Sequence, residues 1–436
     1  MALALICDCQ SIAKAMNSPL PYPAPLTGFL IKKMTTHSIK EYLRDPWLAS
    51  LMAEIKAAGP MKSSLIDITH KCNLRCDGCY YFSEGMDKYQ RLDDEEAFDA
   101  FLASEKARGI NMFTVVGGEP ALELDRLRKM AKLFRLTVVT NGSLPMPMEG
   151  LENIRIAVSF WGDEAQDTLL RGNGSQNVFK KALEHFKDDP RAGFYYTTLP
   201  GYTDQIEAVT EKMIANGNFV VFNFYGDIGN KGGAYSHTMG FAELNQIIQG
   251  LTHRFPTKII SSPHINQVIH QRHLFGQAWG YDVCPSVTFD HPENALRMQH
   301  GRKYPSEFRA YYADLQTTRR CCVGEARDCA TCTDLWATYA WVVGSMKAHL
   351  GCVEDFSAWL FTTYIFYTSA GFIDWHHASR AHLPEIYRRF ATHSGADQDV
   401  SKHLHDADDT NVGPKNYPVF QLRSVPLQQA EAHYGQ

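Results

Sequence analysis

Residues 64–79 read "SLIDITHKCNLRCDGC", an apolar, β-branched run that breaks after Thr69 into a loop holding three cysteines. A run of this kind bounded by turn residues predicts a strand with a functional loop at its carboxyl end. Five similar runs follow: "FTVVGG" (113–118), "RLTVVTNG" (135–142), "RIAVSFWG" (155–162), "GFYYTTLPG" (193–201) and "FVVFNFYG" (219–226). Helical periodicity separates most of them. One helix is expected to start at Asp93, with Glu96 in capping-box position and Phe98, Phe101 and Leu102 on one face. Others carry Leu127, Met130, Ala131 and Phe134, then Phe179, Leu183 and Phe186, then Ile206, Val209 and Met213. Strands alternating with helices imply parallel pairing through right-handed crossovers. The expected fold class is α/β: a partial (β/α)6 barrel with a mainly helical, cysteine-rich C-terminal extension.

Functional residues in such sheets gather at the carboxyl ends of the strands. The cysteine loop follows the first run, "GGEP" ends the second, "TNG" the third and "SFWG" the fourth. Turn chemistry accounts for any one of these. It does not account for all four together with the cysteines.

Cys72, Cys76 and Cys79 are spaced C-x3-C-x2-C. A structural zinc site takes four ligands, usually from paired cysteines; here His70 would have to be the fourth. A [4Fe–4S] cluster normally takes four thiolates. Three would leave one iron open to an exchangeable ligand.

With G-G-E-P after the second strand, the order of motifs resembles the radical S-adenosylmethionine (radical SAM) enzymes over about residues 60–230. The resemblance implies that Cys72, Cys76 and Cys79 are the catalytic cluster ligands. It implies that one electron, supplied by a donor such as flavodoxin or ferredoxin, cleaves S-adenosylmethionine to methionine and a 5′-deoxyadenosyl radical. It places Gly117, Gly118, Glu119 and Pro120 at the methionyl amine, where acceptors are needed. Thr140, Asn141, Ser159 and Arg171 fall where the family contacts the ribose and carboxylate. The family's aromatic residue before the third cysteine is Gly78 here, and Tyr80 is the candidate to replace it near adenine.

A second group, "RRCCVGEARDCATC" (319–332), with Cys284 upstream and Cys352 downstream, resembles the SPASM/twitch-type extensions that bind auxiliary clusters. It does not fit the longer seven-cysteine form. One auxiliary [4Fe–4S] cluster on Cys322, Cys329, Cys332 and Cys284 is expected, with zinc as the alternative. Cys321 reads as a core thiol, a ligand or a reactive group. Cys352, in an apolar helical region, reads as a buried free thiol.

The net charge of −5, without a Lys/Arg block, argues against nucleic acid or an anionic membrane as the main partner. "FSAWLFTTYIFYTSAGF" (356–372) is interrupted by hydroxyl side chains and reads as a buried helix, not a membrane span. The start lacks a basic n-region, and eleven cysteines without an export signal point to a reducing, cytoplasmic setting. The expected organisation is an irregular leader (1–33), the barrel (34–230), the cysteine-rich domain (231–395) and a polar tail (396–436). His376, His377 and His382 have no carboxylate or cysteine at ligand spacing in the chain and read as surface or capping histidines. Tyr225 and Asp227 end the sixth strand and are candidate substrate contacts. Nothing before the first strand is long enough for a cobalamin or peptide-leader domain, so a small-molecule substrate is expected. A maturase acting on a ribosomal peptide and a non-catalytic metal-binding scaffold are the alternatives.

Overall fold

All six expected strands form in the computed structural model, which describes residues 38–199, 202–225, 241–271, 284–292, 307–325 and 332–393. They are β1 (Ser63–Asp67), β2 (Met112–Val116), β3 (Arg135–Thr140), β4 (Arg155–Phe160), β5 (Ala192–Thr198) and β6 (Phe219–Phe224). They pair in chain order and all in parallel, so every carboxyl end lies on one rim. Two short strands, β7 (Ala310–Tyr311) and β8 (Thr318–Arg319), extend the sheet beyond β1. β7 is parallel to β1 and β8 antiparallel to β7. Strands of two residues have no measurable periodicity, which is why this hairpin escaped the sequence reading.

The helices of seven or more residues are α1 (Pro46–Ala58), α2 (Glu95–Ala107), α3 (Leu124–Ala131), α4 (Glu164–Leu170), α5 (Val178–His185) and α6 (Ile206–Ala215). After them come α7 (Phe241–Arg254), α8 (Pro263–Gln271), α9 (Leu335–Gly344), α10 (Val353–Ser369), α11 (Trp375–Ala381) and α12 (Leu383–His393). The α2 cap differs from the expectation by one residue. Asp94 accepts from the Glu96 and Ala97 amides at 2.9 and 3.1 Å, while Asp93 accepts from the Arg91 side chain. The predicted apolar faces of α2, α5 and α6 are buried through Phe98, Phe179, Val209 and Met213.

The long apolar segment forms α10, buried on almost every side. Two of its hydroxyls are satisfied inside the helix, Thr363 donating to the Trp359 carbonyl at 2.8 Å and Thr368 to that of Tyr364 at 2.9 Å, and Thr362 meets Ser262 at 2.8 Å. Among the described residues no helix is long and apolar enough to cross a membrane. Helix α1 packs on α10: the Trp47 and Phe361 rings meet edge-on at 5.5 Å. Just before α1, Tyr42 stacks on Phe356 at 5.0 Å and donates to the Leu350 carbonyl. One hydrophobic core therefore runs from α1 through the sheet to α9, α10 and α12. Cys352 stands at the N-cap of α10 and is half-buried, not within the helix. The boundary expected at residues 230/231, the leader and the tail lie outside the described residues.

The hairpin is fixed to the barrel by a fully buried ion pair. Arg319 on β8 donates to both oxygens of Asp67, the last residue of β1, at 2.6 and 3.0 Å. The Arg319 guanidinium also lies over the Tyr312 ring, 5.2 Å from its centre. A bidentate pair of this kind sets register as well as contact. It positions the Cys321–Cys322 turn, which directly follows β8.

Candidate active site at the strand rim

The loop after β1 carries Cys72, Cys76 and Cys79, all half-buried and free. Its shape is set by the turn after β2. The Gly118 amide donates to the Thr69 carbonyl at 2.9 Å and the Glu119 amide to the Lys71 carbonyl at 2.8 Å. The loop lies so close on the two glycines that a side chain fits at neither. A Cβ on Gly117 would stand 2.6 Å from the Thr69 oxygen, and one on Gly118 would overlap the Lys71 carbonyl. Gly117 also has φ +124°, open only to glycine without strain. The double glycine thus seats the cysteine loop. The two motifs are one structure.

Glu119 is buried and nearly saturated. One carboxylate oxygen accepts from the Ala121 amide (2.9 Å) and the Thr140 hydroxyl (2.6 Å), the other from the Asn141 amide (2.8 Å). A carboxylate offers about four acceptor positions, so these bonds leave room for one more donor. Burial pushes its pKa up against these bonds, an imbalance that a cation would relieve. Pro120 opens the short helical turn that follows and is buried.

Arg171 sits at the end of α4 with its guanidinium buried. It pairs with Asp167 (2.9 Å) and donates to the Ser159 and Asn141 carbonyls, both at 2.6 Å. Its own carbonyl accepts weakly from the Cys76 thiol at 3.9 Å, and the Asp77 amide donates to the neighbouring Leu170 carbonyl. Arg171 therefore ties β3, β4 and the cysteine loop together and lies within electrostatic reach of Cys76, Cys79 and Glu119. Ser159 enters this arrangement through its carbonyl.

The thiols also receive N–H donors, from Leu74 to Cys72 at 3.5 Å and from the Asn141 side chain to Cys72 at 3.9 Å. Asn73 joins them, accepting from Asn141 at 2.9 Å and donating to Ser143 at 2.8 Å. The reading of the sequence passed over Asn73; its place inside the C-x3-C spacing was the available signal. Burial pushes the Cys72 and Cys76 thiols up to about 11 and raises Cys79 as well. His70 accepts the Arg91 amide at Nδ1, which leaves the proton on Nε2 and removes it from the donor set in that state. Among the described residues the three cysteine sulfurs are not all within 4.8 Å of one another. That spread suits a multinuclear cluster better than a single ion.

Gly78, where an aromatic residue was expected, is occupied from across the rim. The Tyr225 hydroxyl at the end of β6 donates to the Gly78 carbonyl at 3.3 Å, and a Cβ on Gly78 would overlap that hydroxyl. Trp161 meets the Tyr225 ring edge-on at 5.6 Å. Tyr80 instead packs beside Tyr81, Met86 and Tyr312, within electrostatic reach of Asp67, Arg319, Cys79 and Cys322. Asp227 lies outside the described residues.

Of the second cysteine group, Cys284, Cys321 and Cys322 come together around Val287 and Ala337. A bridge between Val287 and Cys321 joins the two segments. Cys321 closes a tight turn onto Gly324, with its sulfur 3.3 Å from that carbonyl. The Cys322 thiol hydrogen-bonds the Cys321 sulfur and lowers the Cys321 pKa. Asp334 bonds to Cys322, and the Ser286 amide donates to Cys284 at 3.4 Å. Cys332 is half-buried against the main core, beside Thr333, whose hydroxyl donates to the Tyr225 carbonyl at 3.3 Å. Cys329 lies outside the described residues.

Soft sulfur donors seated beside a buried carboxylate, at the open rim of a parallel sheet, suit zinc or an iron–sulfur cluster. The family comparison is specific: residues 66–213 match the radical SAM superfamily. The mitochondrial GTP 3′,8-cyclase of Arabidopsis thaliana is 27% identical over 202 residues, 40% of this chain and 51% of its own length. Molybdenum cofactor biosynthesis protein 1 of Drosophila melanogaster is 28% identical over 129 residues, 26% of this chain and 22% of its own. The chain thus spans about half or less of the curated relatives it matches. Among solved structures, native anSMEcpe with bound AdoMet and Cp18Cys peptide has a TM-score of 0.43 at 16% identity, covering 68% of this chain and 84% of its own.

Proposed function

We propose that Cys72, Cys76 and Cys79 hold a [4Fe–4S] cluster with one open iron, and that the enzyme acts on a small molecule. When bound, the cluster supplies one electron to cleave S-adenosylmethionine, yielding a 5′-deoxyadenosyl radical that abstracts a substrate hydrogen. The observation that carries this reading is the mutual seating of the cysteine loop and the Gly117–Pro120 turn. Glu119 takes the methionyl ammonium at its remaining acceptor position, where a cation offsets the cost of a buried carboxylate. Thr140 and Asn141 hold Glu119 in place, and Asn141 also orients Cys72. Arg171 acts by position: it is the fixed buried cation beside the anionic sulfurs. Tyr225, backed by Trp161, fills the place beside Gly78 and is a better adenine-side aromatic than Tyr80. The small-molecule reading is supported by the plant relative, which is named as a cyclase of GTP.

The second cysteine group is proposed to hold one auxiliary cluster, with Cys284 and Cys322 as ligands and Cys321 added to Cys329 and Cys332 as a candidate. A net oxidation then has a local acceptor for the substrate radical's electron. Anaerobic iron and sulfide analysis tests both sites. The full chain is expected to hold about eight irons, falling to about four in Cys72→Ala/Cys76→Ala/Cys79→Ala and to about four in Cys284→Ser/Cys322→Ser. About four irons in the wild type, unchanged in the Cys284/Cys322 variant, would remove the auxiliary cluster.

A further inference from the structure

The histidines near residue 380 have a carboxylate partner that sequence spacing could not show. Glu54 on α1 reaches them from more than three hundred positions away: one carboxylate oxygen lies 2.7 Å from His382 Nε2 and 3.3 Å from His377 Nε2. His382 is buried at the C-cap of α11, so it is a capping histidine but not a surface one. His376, the third of the group, instead meets the Phe219 ring at 5.0 Å. We infer that Glu54, His377 and His382 form a divalent-metal site, suited to zinc, that joins α1 to α11 and its C-terminal cap.

Three features favour a metal over a simple hydrogen-bonded clasp. The three ligand atoms all lie within 4.8 Å of one another, the one such group among the described residues. With zinc–ligand bonds of about 2.0–2.2 Å, tetrahedral ligand atoms stand roughly 3.4 Å apart. The His377 contact already has that spacing, and the His382 contact needs to open by less than the width of an atom. Second, the other Glu54 oxygen is occupied: the Tyr364 hydroxyl donates to it at 2.7 Å. An outer hydrogen bond that turns one carboxylate oxygen inward is a usual support for a metal ligand. Third, both Nε2 atoms lie against the same Glu54 oxygen, and the His377 and His382 ring planes stand 76° apart rather than stacked. The Tyr364 ring at 5.2 Å and the Trp47 ring at 6.1 Å hold His382 in that attitude. Two imidazoles and a carboxylate are a common zinc donor set, with a fourth position left for solvent. His377, 53% exposed, gives the ion its way in.

The test uses full-length enzyme first loaded with iron and sulfide, so that the cysteine sites are filled, then given zinc and desalted. Wild type is expected to retain one more zinc per chain than His377→Ala, and zinc alone should bind His377→Ala at least about tenfold more weakly by calorimetry. Tyr364→Phe should show a smaller weakening, and zinc should raise the melting temperature of wild type but not of His377→Ala. His377 is exposed enough for its truncation to leave the fold intact, and His382→Ala gives a second reading. Equal zinc in wild type and in folded His377→Ala would overturn the assignment and leave a hydrogen-bonded clasp. Iron content and S-adenosylmethionine cleavage play no part in this result, so it stands apart from the proposed reaction.

Discussion

Gly118→Ala is expected to empty the first cysteine site while leaving the barrel folded. The new methyl group would overlap the Lys71 carbonyl and stand 2.8 Å from the Cys72 amide nitrogen. Those are backbone atoms, so no side chain can rotate away. Either the loop after β1 or the turn after β2 must shift, and the shift falls on Cys72 and on Glu119 together, because the Glu119 amide bonds the carbonyl of Lys71, the residue before Cys72. A displacement of about 1 Å at a reacting centre costs on the order of 100-fold in rate. We expect iron at this site to fall by more than half, and S-adenosylmethionine cleavage by at least about 100-fold. Gly250→Ala is the control: it lies inside α7 with nothing within 4 Å of an added Cβ, and should stabilise the chain by about 0.5–1 kcal/mol. Iron content and circular dichroism of the two variants check the contrast.

Arg319→Met should have the largest effect on stability. It leaves the Asp67 carboxylate fully buried without its bidentate partner. Removing one member of a buried pair costs about 3–5 kcal/mol, mostly as the penalty on the stranded charge. Replacing both, as Asp67→Leu/Arg319→Met, should recover much of that loss, since a packed apolar pair is often as stable as a buried ion pair. The functional consequence differs from the thermodynamic one. The double variant regains melting temperature but loses the register that Arg319 gives to Cys321 and Cys322. Thermal melts and iron content of the single and double variants separate the two effects.

The parallel sheet was legible because each strand carries its own β-branched run and each crossover its own helical period. The rim was legible for the same reason: the residues that end β1 to β4 are adjacent in sequence to the strands that aim them. Contacts between distant segments were not. Arg319 and Asp67 are 252 positions apart, Tyr225 and Gly78 are 147 apart, and Glu54 and His382 are 328 apart. No local pattern marks such a pair. The missing aromatic residue at Gly78 is the instructive case. The sequence offered the neighbour Tyr80, and the fold brings Tyr225 against Gly78 from the far side of the rim. Arg171 shows the converse: it lies beside the cysteine loop, yet its guanidinium is engaged with Asp167 and two carbonyls.

The most direct test of the central claim is 5′-deoxyadenosine formed when anaerobically reconstituted enzyme is given S-adenosylmethionine and dithionite. The account predicts 5′-deoxyadenosine from wild type and none above background from Cys72→Ala/Cys76→Ala/Cys79→Ala. A wild type that assembles its iron but yields no 5′-deoxyadenosine, or a triple variant that yields as much, would contradict it.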